Sequence, residues 1–181
     1  RRRKLIVGDV HGNIRVYNPR NGALMKSCPN DVRSKVIGIV YTSVTRSFIA
    51  GFANGLIRAY SEDQLETCSV IRTFDVLHCH KELHAIAYSA SSRVLVSCGT
   101  EGREGIRFWD YTKGKCERAV HVCPEGASTL ALCFLEPYAL LATADTEGNI
   151  TILASKGCRW FGLSVITIVN QIPRGSVVEV L

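Results

Sequence analysis

The stretch LIVGDVHGNIRVYN, residues 5–18, supports two incompatible readings, and the fold follows from the choice between them. In one, an apolar strand delivers Asp9 and His11, two residues apart, to a metal ion. In the other, Gly12 and Asn13 make a tight turn, and Ile14 begins a second strand of alternating character running back along the first. A turn needs nothing further from the chain. A metal centre does, because two ions sharing a site cannot be held by one Asp and one His.

The rest of the chain repeats the turn. VGDVHGNIRVYN from Val7 aligns with AGFANGLIRAYS from Ala50, SCGTEGREGIRFWD from Ser97 and TADTEGNITILA from Thr143. The shared isoleucines are Ile14, Ile57, Ile106 and Ile150, spaced by 43, 49 and 44 residues, the longest interval carrying a two-residue insertion around Arg103 and Glu104. Upstream of the last three lies a second shared pattern, an apolar strand, a small polar turn and another apolar strand: KVIGIVYTSVTRSFIAG, LHAIAYSASSRVLVSCG and TLALCFLEPYALLATA. Downstream comes a turn such as PRNG (19–22) or TKG (112–114), then a further short strand. Period-two alternation, β-branched residues and regular turn punctuation predict an all-β chain. Four antiparallel strands in a unit of this length predict β-propeller blades, with about four present. They are expected at residues 1–28, 36–74, 83–122 and 129–170, with the start of a further blade at 175–181.

These residues resemble the WD-repeat family. The third unit is the most faithful, with GIRFWD at 105–110 supplying the Trp-Asp pair, whereas Tyr17-Asn18, Tyr60-Ser61 and Leu153-Ala154 stand there in the others. The resemblance implies a buried hydrogen-bonded tetrad, of which Trp109, Ser97 and His80 supply three members. Glu101 stands where an Asp is usual, as do His11, Asn54 and Glu147 in the other units. It also implies a seven-bladed ring, completed by blades outside this chain, since an incomplete ring leaves sheet edges to be paired or covered. A second option is a small ring closed by pairing residues 175–181 with 5–8. Residues 158–172, CRWFGLSVITIVNQI, fit the blade template poorly.

The metal reading of the first stretch resembles a metallophosphoesterase. Such enzymes continue into a helix and bring further ligands in Gly-Asp-x-x-Asp-Arg-Gly and Gly-Asn-His motifs, and neither motif occurs here. Asp9 and His11 are therefore read as corner residues. In HCHKELH (78–84), His80 and His84 would share a helix face, but on a strand they lie about 13 Å apart, too far to share a zinc ion. Nucleophile elbows, phosphate-binding glycine loops and the Phe-Arg-Arg-Gly of phosphoinositide-binding propellers are absent. The expectation is no catalytic residue, no metal and no cofactor.

At 181 residues, 46% hydrophobic and 21% charged, the chain has the composition of a folded domain with a sizeable core. No apolar run approaches the roughly 20 residues needed to cross a bilayer, and no secretory segment opens the chain, so a cytoplasmic setting is expected. The eight cysteines form no Cys-x-x-Cys pair, which suits reduced thiols in a core. Of the net +6, Arg1, Arg2, Arg3 and Lys4 supply four charges at one end, without the interleaved aromatics that stack bases.

What remains is an interaction surface. In a propeller the loops between blades and the turn between second and third strands gather on one face, which here contains Asp9, His11, Phe52, Asn54, Glu101, Arg103, Thr146 and Glu147, with the connections 29–35 and 124–128. Phe52 is read in two ways, as an exposed aromatic anchor at a turn tip or as a ring packed against the neighbouring blade. Residues 1–27 further resemble a blade of the large EF-hand-containing WD-repeat proteins of cilia and flagella, implying an axonemal scaffold. No EF-hand loop is present, so calcium binding does not carry over. The expected function is a non-catalytic scaffold binding other proteins of a larger assembly. The alternatives are a metal-dependent phosphoesterase and a basic nucleic-acid-binding module.

Overall fold

A computed structural model describes residues 4–42, 45–61, 67–74, 81–100, 105–155 and, for the backbone, 163–169. The described residues form strands and turns, with no helix. Strands β1 (Leu5–Gly8), β2 (Ile14–Tyr17) and β3 (Leu24–Ser27) make a three-stranded sheet. Three four-stranded sheets follow. The second sheet holds β4 (Val36–Thr42), β5 (Ser47–Phe52), β6 (Ile57–Ser61) and β7 (Ser69–Thr73). The third holds β8 (Glu82–Ser89), β9 (Val94–Thr100), β10 (Ile106–Asp110) and β11 (Lys115–Val120). The fourth holds β12 (Thr129–Phe134), β13 (Leu140–Asp145), β14 (Ile150–Ser155) and β15 (Leu163–Val169). Every strand pairs antiparallel with its neighbour in sequence, so each sheet is a meander.

The repeat holds at single-residue register. Ile14, Ile57, Ile106 and Ile150 sit opposite Gly8, Gly51, Cys98 and Ala144. That slot takes only small residues because the next sheet presses against it: a Cβ on Gly51 would lie 2.4 Å from Leu83 Cδ2, and one on Gly8 would lie 2.5 Å from Val36 Cγ1. The pairing of each sheet's last two strands is bulged at the same place, between Val16 and Tyr17, Ala59 and Tyr60, Phe108 and Trp109, and Ile152 and Leu153. In the three four-stranded sheets the pairing of first with second strand is bulged too, leaving Ile37, His84 and Leu130 as the extra residues. A bulge sharpens the local twist, which suits a sheet that must fan away from its neighbour.

The core lies between sheets, in three clusters. The first joins Ile14 and Val16 to Phe48, Ala50, Phe52 and Tyr60. The second joins Ile49, Ile57, Ala59 and Phe74 to Leu83, Ile86, Leu95 and Trp109. The third joins Val96, Cys98, Ile106 and Phe108 to Leu132, Leu141 and Leu153. Hence β5 is buried along its whole length, Phe48, Ala50 and Phe52 facing the first sheet while Ile49 faces the third. Covering both faces is what turns an alternating strand into the continuous run SFIAGF. Each fully buried Phe, Ile or Leu contributes about 1.5–3 kcal/mol of transfer free energy.

Candidate protein-binding face

Three corners, joining β1 to β2, β5 to β6 and β13 to β14, share one backbone. In the first, Asp9 N–H donates to Asn13 O (3.0 Å) and Gly12 N–H to Asp9 O (3.2 Å). In the second, Phe52 N–H donates to Leu56 O and Gly55 N–H to Phe52 O, both 2.9 Å. In the fourth, Asp145 N–H donates to Asn149 O (3.1 Å) and Gly148 N–H to Asp145 O (3.2 Å). The glycines stand at φ +86°, +85° and +82°, the left-handed region that a side chain disfavours.

Where Asp opens the corner, its carboxylate completes it. Asp9 Oδ1 accepts the N–H groups of His11 and Asn13, both at 2.9 Å, and Oδ2 accepts Asn13 Nδ2 at 2.7 Å. Asp145 does the same with Glu147 N–H, Asn149 N–H and Asn149 Nδ2. The Asn13 side chain, seconded by the backbone N–H groups of Asn13 and His11 and by Arg15, outweighs partial desolvation and holds the Asp9 carboxyl below its ordinary range. A carboxylate so occupied is a turn element, and the chain leaves the corner as β2 rather than as the helix a phosphoesterase needs. Among the described residues no group of three or more His, Cys, Asp or Glu is placed to hold a metal ion.

The connections between sheets are stitched to these corners. Asn30 Nδ2 donates to His11 O (3.2 Å) and Asn13 Oδ1 (2.7 Å). Val36 N–H donates to Asp9 O, Ala53 N–H to Lys35 O, and Leu83 N–H to Ala53 O. Asn54 N–H donates to Ser34 Oγ (3.1 Å), and Thr146 N–H to Ser128 O (3.0 Å) while Ser128 N–H returns a bond to Thr146 Oγ1 (3.1 Å). Corners and connections therefore form one braced surface.

On that surface His11, Asn54, Thr146 and Glu147 are exposed, and Asp9 is half-buried. Phe52 is not an anchor there. It is the last residue of β5, 1% exposed, and its side chain packs against Ile14 and Val16 of the neighbouring sheet, because strand alternation carries it inward. Glu101, Arg103 and His80 lie outside the described residues. Trp109 Nε1 donates to Ser97 Oγ at 2.8 Å, fully buried, and the indole meets Phe74 of the second sheet edge-on at 5.9 Å. His84, in β8, donates from Nδ1 to the Thr129 carbonyl at 2.9 Å and so ties two sheets.

Sequence reasoning missed two features of this surface. The Asn30 brace joins residues 17 apart and leaves no local pattern. The ion pair between Arg58 and Asp31, which raises the arginine and lowers the carboxyl, is equally non-local.

Comparison with solved structures identifies the architecture. A WD40 propeller chain in a crystal structure of the mitotic checkpoint complex superposes with a TM-score of 0.74 at 16% identity, over 96% of this chain and 51% of that one. These sheets are β-propeller blades. In sequence, 153 residues, 84% of the chain, are 19% identical to cilia- and flagella-associated protein 337 B of Tetrahymena thermophila. They span 12% of that protein, and the structural match spans about half of the checkpoint chain. No protein-family model matches.

Proposed function

We propose that the chain is a stretch of a WD-repeat propeller that acts as a non-catalytic scaffold, presenting the braced corner face to protein partners in a ciliary or flagellar assembly. The observation that carries this is the repetition of one hydrogen-bonded corner, each copy tied to a neighbouring connection, which holds the backbone beneath exposed His11, Asn54, Thr146 and Glu147 in place and so lowers the ordering cost of binding. The similarity to a cilia- and flagella-associated protein supports the setting. In this reading the parent ring has seven blades, the chain supplies those at 1–28, 36–74, 83–122 and 129–170, and residues 175–181 open the next. Ser97 and Trp109, with His80, supply three members of the third blade's tetrad. Glu101 and Arg103 extend the face at the third corner.

The test is positional. A photo-crosslinking residue placed at His11, Asn54 or Thr146 of the parent protein in ciliated cells is expected to capture protein, while one at Leu24, Ile71 or Tyr138, exposed elsewhere, is not. Equal capture from both sets, or capture from the second alone, overturns the assignment of the face.

A further inference from the structure

The six described cysteines are free thiols, and two of them face each other across a blade junction. Ser27, the last residue of β3, forms a parallel bridge with Thr67, just before β7. Cys68 N–H donates to Ser27 O at 3.4 Å, so backbone bonding crosses here from the first blade to the second. Cys28 and Cys68 each follow a member of the bridged pair. Side chains alternate along extended chain, so both cysteines point away from the side that Ser27 and Thr67 occupy. Both accordingly enter one core cluster between the first two sheets, at 9% and 1% exposed. Neighbouring extended chains lie about 4.8 Å apart, within the span of roughly 4.4–6.8 Å between Cα atoms that a disulfide bridges. The other described cysteines lack such a neighbour in their ladders: Cys98 stands opposite Ala85 and Ile106, Cys116 opposite Trp109 and Cys133 opposite Ala142. Cys123 Sγ lies against Thr129 Oγ1.

We propose that Cys28 and Cys68 are a redox pair, oxidised by a hydroperoxide to a disulfide that staples the first blade to the second. Cys28, the less buried of the two, reacts first. Its thiolate attacks a peroxide oxygen: an S–O bond forms, the O–O bond breaks, and the departing alkoxide takes up the thiol's proton as an alcohol. The Cys68 sulfur, giving up its own proton, then attacks the sulfenic sulfur. The S–S bond forms, the S–O bond breaks, and hydroxide leaves with that proton as water. Two electrons pass from the thiols to the peroxide, and hydrogen peroxide is the smallest oxidant of the class. The staple fixes the root of the connection 29–35, whose Asn30 braces the first corner and whose Asp31 pairs with Arg58. It stands whichever face the partners use.

The test is peptide mapping of the native parent protein after hydrogen peroxide, with remaining thiols blocked by N-ethylmaleimide before trypsin is added. Cys28 falls in the tryptic peptide 27–33 and Cys68 in 59–72. The two peptides are expected as one linked species, lost on treatment with dithiothreitol and in Cys28→Ala, and kept in Cys98→Ala. Exchange of the Cys68 amide, whose bond crosses the junction, should slow about tenfold on oxidation. The mapping is made on the unaltered protein, so it decides the matter even where Cys28→Ala does not fold. Cys28 and Cys68 recovered as maleimide adducts or sulfinic acids, either one linked to a different cysteine, or a link that forms only in unfolded protein, overturns the pair.

Discussion

Asp9 and Phe52 occupy the same place at the start of a corner and do opposite things. Asp9 turns its carboxylate onto the corner's own N–H groups, whereas Phe52 leaves that corner to backbone bonds alone and spends its side chain on the core. Alignment gives the place along the chain but not the direction of the side chain, which is why the sequence leaves Phe52 open between an exposed anchor and a ring packed on the neighbouring blade. Truncation gives the check: Phe52→Ala is expected to cost about 3–5 kcal/mol by urea unfolding. A cost below about 1 kcal/mol would show a solvent-facing ring. Asp9 gives a pH signature instead. Its folded carboxyl lies below the ordinary 3.8, so its contribution is complete above that value and is lost as pH falls through the folded pKa. The carboxyl carbon followed by NMR should titrate below 3.8, and Asp9→Ala should speed amide exchange at His11 and Asn13. An unshifted midpoint would mean the turn bonds do not form in solution. Trp109 and Ser97 were legible as a pair because the third unit keeps the Trp-Asp dipeptide. Their bond should appear as a coupling of about 1 kcal/mol in a double-mutant cycle of Trp109→Phe and Ser97→Ala.

At the level of strands, the all-β class was readable because the inner strands and their corner recur at intervals of 43, 49 and 44 residues, with glycines at the turns. The outer strands were harder to read, for a reason visible in the register. One residue is extra in each of them, Met25, Ile71, Glu117 and Ile166, so period-two alternation slips by one partway along β3, β7, β11 and β15. Val70 and Ile71 are exposed in β7, which blurs the pattern further. Within 158–172, Leu163–Val169 pairs with β14 and carries the same slip at Ile166. Strand packing also sets the small-residue slot of Gly8, Gly51, Cys98 and Ala144. Gly51→Val would drive methyl groups into Leu83 and Ile86, both buried, and is expected to cost about 1–3 kcal/mol in thermal or urea unfolding. Gly22→Ala makes the contrast, because nothing lies within 4 Å of that position and any cost comes from its φ of +70° alone. A Gly51→Val protein as stable as the parent would mean that adjacent sheets slide apart freely.

Across the whole molecule, stability resides between blades rather than within them. Each of the three clusters draws on two adjacent sheets, and the inner strand β8 lies between β4 on one side and β12 on the other. Such an arrangement couples nearest neighbours first, as in other repeat folds. Leu83 sits at the centre of the second cluster, 1% exposed against Ile49, Ile57 and Trp109, and has no part in the third. Leu83→Ala should therefore cost about 2–5 kcal/mol and loosen the second and third blades together. Hydrogen exchange resolves where that loss falls: amides of β5, β6 and β9 should exchange faster, while those of β13 and β14, held by Leu132, Leu141 and Leu153, keep most of their protection. If β13 and β14 lose protection to the same degree, the blades melt as one unit, and the corner face then depends on every junction at once rather than on the two beside each corner.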